Sequence, residues 1–275
     1  MRLITVLLLV LLSPSLAHAQ EAKESAYDRV MRTGVLRCGF IPWPPGFEVD
    51  PNTNEVRGPT KELFQSIITL TGWKVEFVQT ALGNNALDLN NGRIDAMCAD
   101  GPWTITSIKF VDYTTWVAYS PVMVYVRQDN EHLKDFAALN DKGVTFAAID
   151  GDVSMDLARL RFPEAKQHAL INLTDPAQML TEVATGKADA VILDPVTAES
   201  YIKNNPDQIK AVANGQALAV YPIGMSVARG EAALQQTLSR ASEMAINLGI
   251  VDKQLDLYDA SRRTIYSPLP AYKAP

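Results

Sequence analysis

The chain has 275 residues, of which 47% are hydrophobic, with 31 acidic against 25 basic side chains and a formal net charge of -6. This length suffices to bury one large core or two ordinary ones. The acidic balance excludes the basic surface that nucleic-acid binding requires, so we expect no nucleic acid among the partners.

The first 19 residues predict a secretory signal peptide. Arg2 supplies a positive charge, residues 3–12 form an apolar run, and Ala17 and Ala19 give the small-x-small pattern of a cleavage site before Gln20. The apolar run has about ten residues, too few for the roughly 20 of a spanning helix. We therefore expect a mature, soluble chain that begins at Gln20 and lies in the periplasm; the alternative is an uncleaved membrane anchor.

Strands and helices alternate after the leader. A short helix is expected at 27–33. Apolar patterns and glycine stops then predict strands at 35–40, 74–78 and 94–98 and helices at 60–71 and 86–91. Strands separated by helices indicate a parallel α/β sheet.

The second half of the chain repeats this rhythm. Strands are predicted at 143–149 and 188–193, and helices at 154–160 and 175–185. The two halves also share a local pattern, NGRIDA at 91–96 and TGKADA at 185–190. The α/β class is therefore predicted as two similar lobes, each a mainly parallel sheet flanked by helices.

Two apolar, β-like stretches at 122–126 and 219–227 bracket the second unit, and a helix follows at 232–248. We expect lobe 1 to comprise residues 20–121 plus 226–275 and lobe 2 residues 122–225. The chain would cross between the lobes near 120–127 and 219–227. Two crossings form a hinge, and a cleft between lobes is a usual place for a small ligand.

The chain has two cysteines, Cys38 and Cys98. An exported protein meets oxidising conditions, so an even count favours a disulfide between them. The alternative is a pair of small, buried hydrophobic side chains, and geometry alone decides between the two.

A series of short motifs carries a family resemblance over nearly all of the mature chain. The motifs are VLRCGF at 35–40, WPPGF at 43–47, NGRIDA at 91–96, VDYT at 111–114 and GKADAVILD at 186–194. In this order the chain resembles the family 3 periplasmic solute-binding proteins of ABC importers, best known for amino acids. The resemblance implies a two-lobed fold, a small-molecule ligand, a membrane permease as partner, a monomer and no cofactor.

The resemblance also implies a grip on both ends of an amino acid. An Arg in a T-I-T-x-x-R pattern would clamp the ligand carboxylate, and an Asp ending the second-lobe strand would hold its ammonium. Thr104 and Thr106 are present, but the Arg position is taken by Lys109 or, by a gapless count back from 111–112, by Ser107. Both alignments lose the Arg, whereas Asp194 is kept. Lys lacks the planar fork of Arg. We therefore expect an amine-bearing or cationic ligand: an amine, a betaine or an amino-acid-like compound.

Other candidate ligand contacts lie near the expected cleft. Trp43, Phe47 and Trp103, together with Trp116, would rim it, and an indole face attracts a cation. Asp152 and Ser154 begin a second-lobe helix, whose free amides suit an anionic or carbonyl group; the alternative is capping by Asp152. Asp194 also has an alternative as a helix cap before Pro195.

No catalytic pattern accompanies these residues. The sequence contains no Gly-x-Ser-x-Gly turn, metal-spaced Cys/His set or phosphate-binding glycine loop. We expect a binding protein, not an enzyme. Two alternatives stay open: an accessory or sensory protein that docks on a partner, and a dehydratase-like enzyme that uses carboxylates such as Asp100.

Overall fold

A computed structural model describes residues 24–103, 108–171, 175–259 and 264–268. The expected signal peptide and the candidate contacts Thr104 and Thr106 lie outside these residues. Within the described ranges, no helix is long and apolar enough to cross a membrane.

The first unit is built on strand β1, which pairs in parallel with a strand on either side. Ser25 caps the first helix by accepting the N–H of Asp28, and Gly34, at φ 68°, ends it. The elements of this unit are α1 (Ala26–Thr33), β1 (Val35–Phe40), β2 (Glu48–Val49), β3 (Val56–Arg57), α2 (Pro59–Thr69), β4 (Lys74–Gln79), α3 (Asn85–Asn90), β5 (Ala96–Asp100) and β6 (Val111–Tyr113). β4 and β5 flank β1, while β2 and β3 form a separate hairpin.

The second unit repeats this plan around strand β8, which pairs in parallel with β9 and β10. Its elements are β7 (Ala118–Arg127), β8 (Thr145–Ile149), α4 (Val153–Arg161), β9 (Lys166–Leu170), α5 (Ala177–Ala184), β10 (Ala190–Leu193), α6 (Pro195–Asn204), β11 (Ile209–Ala211), a 3-10 turn (Ala213–Gly215) and β12 (Ala219–Ala228). The chain then returns to the first unit, where α7 (Ala232–Asn247) and α8 (Ile250–Asp259) pack against α2.

The long strands β7 and β12 join the two units. Residues 118–122 of β7 pair with residues 223–219 of β12 in an antiparallel ladder. Beyond that ladder, β7 pairs with β10, and β12 pairs with β5 and β6. The resulting strand order is β4-β1-β5-β12-β7-β10-β8-β9. As a consequence, the carboxyl ends of β5 and β10 both run toward the ladder, from opposite sides.

Each unit has its own apolar core. In the first, Phe64 and Ile67 of α2 are fully buried beside β1. In the second, Phe146 and Phe162 stack with ring centroids 4.9 Å apart. Cys38 and Cys98 form a disulfide with a Cα–Cα distance of 5.7 Å, which confirms that interpretation of the cysteines. The predicted two-lobed α/β fold is likewise confirmed.

Candidate ligand-binding site

A cavity of about 180 Å³ lies where β5 and β10 face each other, with walls from both units. Most of its lining is apolar. The first unit contributes Ile41, Met97 and Trp103, and the second contributes Val153, Ile192 and Val196. A cavity of this size suits a small metabolite rather than a large ligand.

Asp194 lines the cavity and also caps helix α6. One carboxylate oxygen accepts the N–H of Thr197 at 2.9 Å, and the other accepts the Thr197 hydroxyl at 3.0 Å. The second oxygen also accepts the indole N–H of Trp43 at 2.9 Å. The capping interpretation is therefore confirmed, and it leaves the same carboxylate on the cavity wall.

The loop that carries Trp43 lies against the second unit. Trp43 and Phe47 exchange backbone hydrogen bonds of 2.9 and 3.1 Å, which close the loop on itself. From α6, the Thr197 hydroxyl also lies 3.3 Å from the Pro44 carbonyl oxygen, so its one proton is shared between that carbonyl and Asp194. Together with the bond from Trp43 to Asp194, this contact joins the two units across the cavity.

Asp100 is the last residue of β5 and also lines the cavity, with only 6% of its surface exposed. One oxygen accepts the N–H of Gly101 at 2.8 Å; the other accepts the Asn85 amide at 3.1 Å and the Ser226 hydroxyl. Burial raises the pKa of this carboxyl, and its hydrogen-bond donors only partly offset that effect. The sequence placed Asp100 near the cleft only as a conceivable catalytic group, so its position in the binding cavity was missed.

Asp152 caps helix α4 and is also buried on the cavity wall. Its carboxylate accepts the N–H of Ser154 at 2.8 Å. Burial raises the pKa of Asp152, and the negative charge of Asp194 raises it further. The capping alternative is therefore what the structure has, and the Asp152 carboxylate occupies an amide that an anionic or carbonyl group of a ligand would need. Ser154 is buried behind Asp152 and is absent from the described lining.

The aromatic candidates divide into two groups. Trp103 lines the cavity, with its indole N–H held by the Pro222 carbonyl at 3.0 Å. Phe47 is buried in the wall and stacks on Phe40 at 5.1 Å between ring centroids. Trp116, by contrast, packs on Tyr113 at 5.4 Å and is not part of the described lining, so its expected place on the rim is wrong.

Lys109 does not line the cavity. It lies in an exposed turn, with its ammonium 5.0 Å from the centre of the Phe110 ring. The expected contact between Lys109 and the ligand therefore has no support in the described lining of the cavity. Spacing along the chain matched Lys109 to the family's Arg, but this turn directs the ammonium to the ring of its neighbour.

The cavity carboxylates differ from the other buried carboxylates in their partners. Asp95, in the first core, binds the guanidinium groups of Arg29 and Arg37, and Glu182 binds the Lys187 ammonium at 3.1 Å. Every hydrogen-bond donor described for Asp100, Asp152 and Asp194 is neutral. The lining, as far as the structure describes it, contains no Lys, Arg or His. The described lining is therefore acidic in composition.

No group of three His, Cys, Asp or Glu side chains within the described part of the chain is arranged to hold a metal ion.

The sequence model of the bacterial extracellular solute-binding proteins, family 3, matches residues 36–255. The chain belongs to this family. The matched segment runs from β1 into α8 and so includes both units and the cavity between them.

Two solved structures support the same fold. The ancestral amino acid-binding protein AncCDT-1, a precursor of cyclohexadienyl dehydratase, has a TM-score of 0.73 at 25% identity, over 86% of this chain and 99% of its own. A mutant of ArgBP from T. maritima has a TM-score of 0.72 at 21% identity, over 86% of this chain and 100% of its own. The second likeness is one of fold alone.

A curated relative belongs to a different functional class. The virulence sensor protein BvgS of Bordetella pertussis is 24% identical over 133 residues, which make up 48% of this chain. The match spans 10% of the length of BvgS, so the resemblance concerns one part of a much longer protein.

Proposed function

We propose that the protein is a periplasmic solute-binding protein that captures a small amine-bearing or cationic ligand and delivers it to an ABC importer. The observation that carries this proposal is the charge of the cavity. Asp100, Asp152 and Asp194 lie on its wall, and all their described hydrogen-bond donors are neutral.

Buried carboxylates without cationic partners are costly, because neutral donors replace only part of their lost hydration. A ligand ammonium would offset that cost, and the ring faces of Trp43 and Trp103 would add roughly 0.5–2 kcal/mol. A ligand carboxylate would meet like charge and no described cation on the wall. The same cavity therefore favours a cation and disfavours an anion.

Ligand capture would proceed by closure of two lobes. We place lobe 1 at residues 20–121 plus 226–275 and lobe 2 at residues 122–225, with the paired segments 118–122 and 219–223 as the hinge. A ligand that contacts both lobes binds the closed form better and shifts the population toward it. The closed monomer would then dock on the permease, and no catalysis is required.

A sensory role is the second candidate, and the likeness to part of BvgS favours it. In that role the closed form would signal to a partner instead of releasing its ligand. The same cavity and the same ligand class serve both roles, so the two differ only in the partner.

Isothermal titration calorimetry against amines, betaines, basic amino acids and acidic amino acids tests the ligand class. We expect heat from cationic compounds and none from acidic amino acids. Tight binding of an acidic amino acid without a response to amines would refute the cationic class. Lys109→Ala is the matched control: its ammonium lies outside the described lining, so affinity should change less than about twofold.

Uptake of the ligand by cells separates the two roles. Deletion of the gene should abolish high-affinity uptake if the protein feeds an importer. Unchanged uptake, with a lost transcriptional response to the ligand, would assign the sensory role instead.

A further inference from the structure

The short repeat shared by the two units extends to the cavity. Residues 91–100 read NGRIDAMCAD and residues 185–194 read TGKADAVILD, so both ten-residue segments end in Asp. In the first, Asp95 binds the backbone of Arg37, donating at 2.9 Å and accepting at 2.8 Å. In the second, Asp189 binds the backbone of Thr145 in the same way, with both distances 2.8 Å.

These matched contacts place the two segments in equivalent positions of their sheets. Ala96 follows Asp95 and pairs with Cys38 of β1, and Ala190 follows Asp189 and pairs with Phe146 of β8. Asp100 and Asp194, five residues after the matched Asp residues, therefore both lie at the carboxyl ends of matched strands, although a bulge at Ala99 (φ 55°) shifts the register before Asp100. Each unit presents one carboxylate to the cavity from the carboxyl end of its equivalent strand.

The strand registers give the offset between the backbones of Asp100 and Asp194 along the central ladder. Asp100 pairs with Gly224 of β12. Asp194 follows Leu193, whose partner Met123 is adjacent to Val122, and Val122 pairs with Ala219. From 224 to 219 the strand rises by roughly 17 Å at about 3.4 Å per residue, and β5 and β10 lie three strand positions apart, which adds a lateral offset of roughly 14 Å at about 4.8 Å per strand. Both side chains line the cavity, so each unit contributes one carboxylate from its own end of that span.

The cavity that both carboxylates line is mostly apolar. Trp43, Met97, Ile192 and Ile223 are among the residues that line it. An apolar stretch with a negative group at each end is complementary to a hydrocarbon chain with a positive group at each end.

On the basis of the proposed function, we propose that the ligand is a linear aliphatic diamine or oligoamine. One ammonium pairs with Asp100 of the first unit, and the other pairs with Asp194 of the second, with Asp152 adding negative charge beside it. The methylene chain lies along the apolar wall. A monoamine would leave one buried carboxylate without a cation, and an amino acid would bring a carboxylate into an acidic cavity.

Titration calorimetry on the full mature chain tests this ligand class with four probes: 1,4-diaminobutane, 1,5-diaminopentane, 1-aminobutane and L-ornithine. We expect a diamine to bind at least about thirtyfold more tightly than 1-aminobutane, because the second ammonium forms a second buried charge pair. L-Ornithine carries two amines and a carboxylate, and we expect it to bind more weakly than the diamines.

Variants at both ends make the test specific. Asp100→Asn and Asp194→Asn should each reduce the advantage of the diamine over 1-aminobutane to less than about threefold. Asp129→Asn is the control, since that exposed carboxylate pairs with Arg127 on the surface and should leave the ratio unchanged. Circular dichroism confirms that each variant is folded, and the two ends provide independent measurements.

Three results would overturn the inference: a diamine that binds no more tightly than 1-aminobutane, a ratio that persists in Asp100→Asn, or L-ornithine as the tightest ligand. Each of them still leaves a cationic ligand and hence the proposed function. Failure of every amine and every basic amino acid to bind would instead contradict both.

Discussion

The indole N–H of Trp43 donates a 2.9 Å hydrogen bond to the carboxylate of Asp194, a residue 151 positions away in the chain. The bond crosses the cavity from the first unit to the second, and the bond from Thr197 to Pro44 lies beside it. The two units are thus in direct contact at the mouth of the site. A ligand ammonium at Asp194 would share its carboxylate with the indole.

Trp43→Phe should loosen this contact while keeping an aromatic ring on the wall. A net hydrogen bond is worth about 0.5–1.5 kcal/mol, so the ratio of open to closed forms should rise about two- to tenfold. Small-angle scattering should report a larger radius of gyration for the ligand-free variant. The ligand-saturated variant should match the wild type; no change without ligand would contradict the prediction.

Asp194 has two roles that different substitutions separate. Asp194→Asn keeps a good helix cap but removes the charge, so it should weaken amine binding with little effect on stability. Asp194→Ala removes both and should also lower the free energy of unfolding by about 1 kcal/mol. Calorimetry and urea denaturation measure the two effects. Equal stability of the variants would contradict the capping role, and unchanged affinity in both would exclude Asp194 from the site.

We expect the buried carboxylate of Asp100 to lower the free energy of unfolding of the ligand-free protein. Burial raises its pKa above the ordinary value of 3.8, so the folded state holds the proton more tightly than the unfolded state. The free energy of unfolding therefore falls as pH rises from 3.8 through the raised pKa. Asp100→Asn should be more stable than the wild type at neutral pH, by on the order of 1 kcal/mol.

Urea denaturation of both proteins at a series of pH values measures this difference. The advantage of Asp100→Asn should disappear at acidic pH, where the wild-type carboxyl is protonated in both states. A variant that is less stable than the wild type at neutral pH would show that the charge of Asp100 is already compensated within the protein.

The disulfide should contribute strongly to stability. Cys38 and Cys98 are 60 residues apart, and a cross-link that closes such a loop contributes about 4 kcal/mol in the chain-entropy estimate. A Cys38→Ala/Cys98→Ala variant should lose about that much free energy of unfolding in urea. Reduced wild type should behave like the variant; a loss below about 1 kcal/mol would contradict the prediction.

The sequence predicted those elements that carry strong local signals. Strand β1 was predicted at 35–40, its observed bounds, and α7 at 232–248 against the observed Ala232–Asn247. Strand β9 was missed because its residues begin KQH, a polar pattern that an edge strand tolerates. Helix α8 was missed, and α6 was foreseen only as the alternative in which Asp194 caps a helix, since α6 lacks a pronounced apolar stripe.

The site was less accessible to sequence reasoning than the fold. Asp194 was found because a motif ends on it, whereas Lys109 was misplaced because residue spacing does not fix the direction of a side chain. Asp100 was missed as a binding residue because the comparison of the two halves stopped at Ala96 and Ala190. Four more residues of the same comparison would have paired Asp100 with Asp194. The contact between Trp43 and Asp194 depends on the packing of two units, which no local pattern encodes.

Asp100 and Asp194 line the cavity from opposite units, and this has a consequence for the ligand-free protein. Closure brings a negative charge of one half toward a negative charge of the other, and the repulsion between two like charges grows as their separation falls. A bound dication would turn that repulsion into attraction. The protein would thus disfavour its own closure until a ligand is bound.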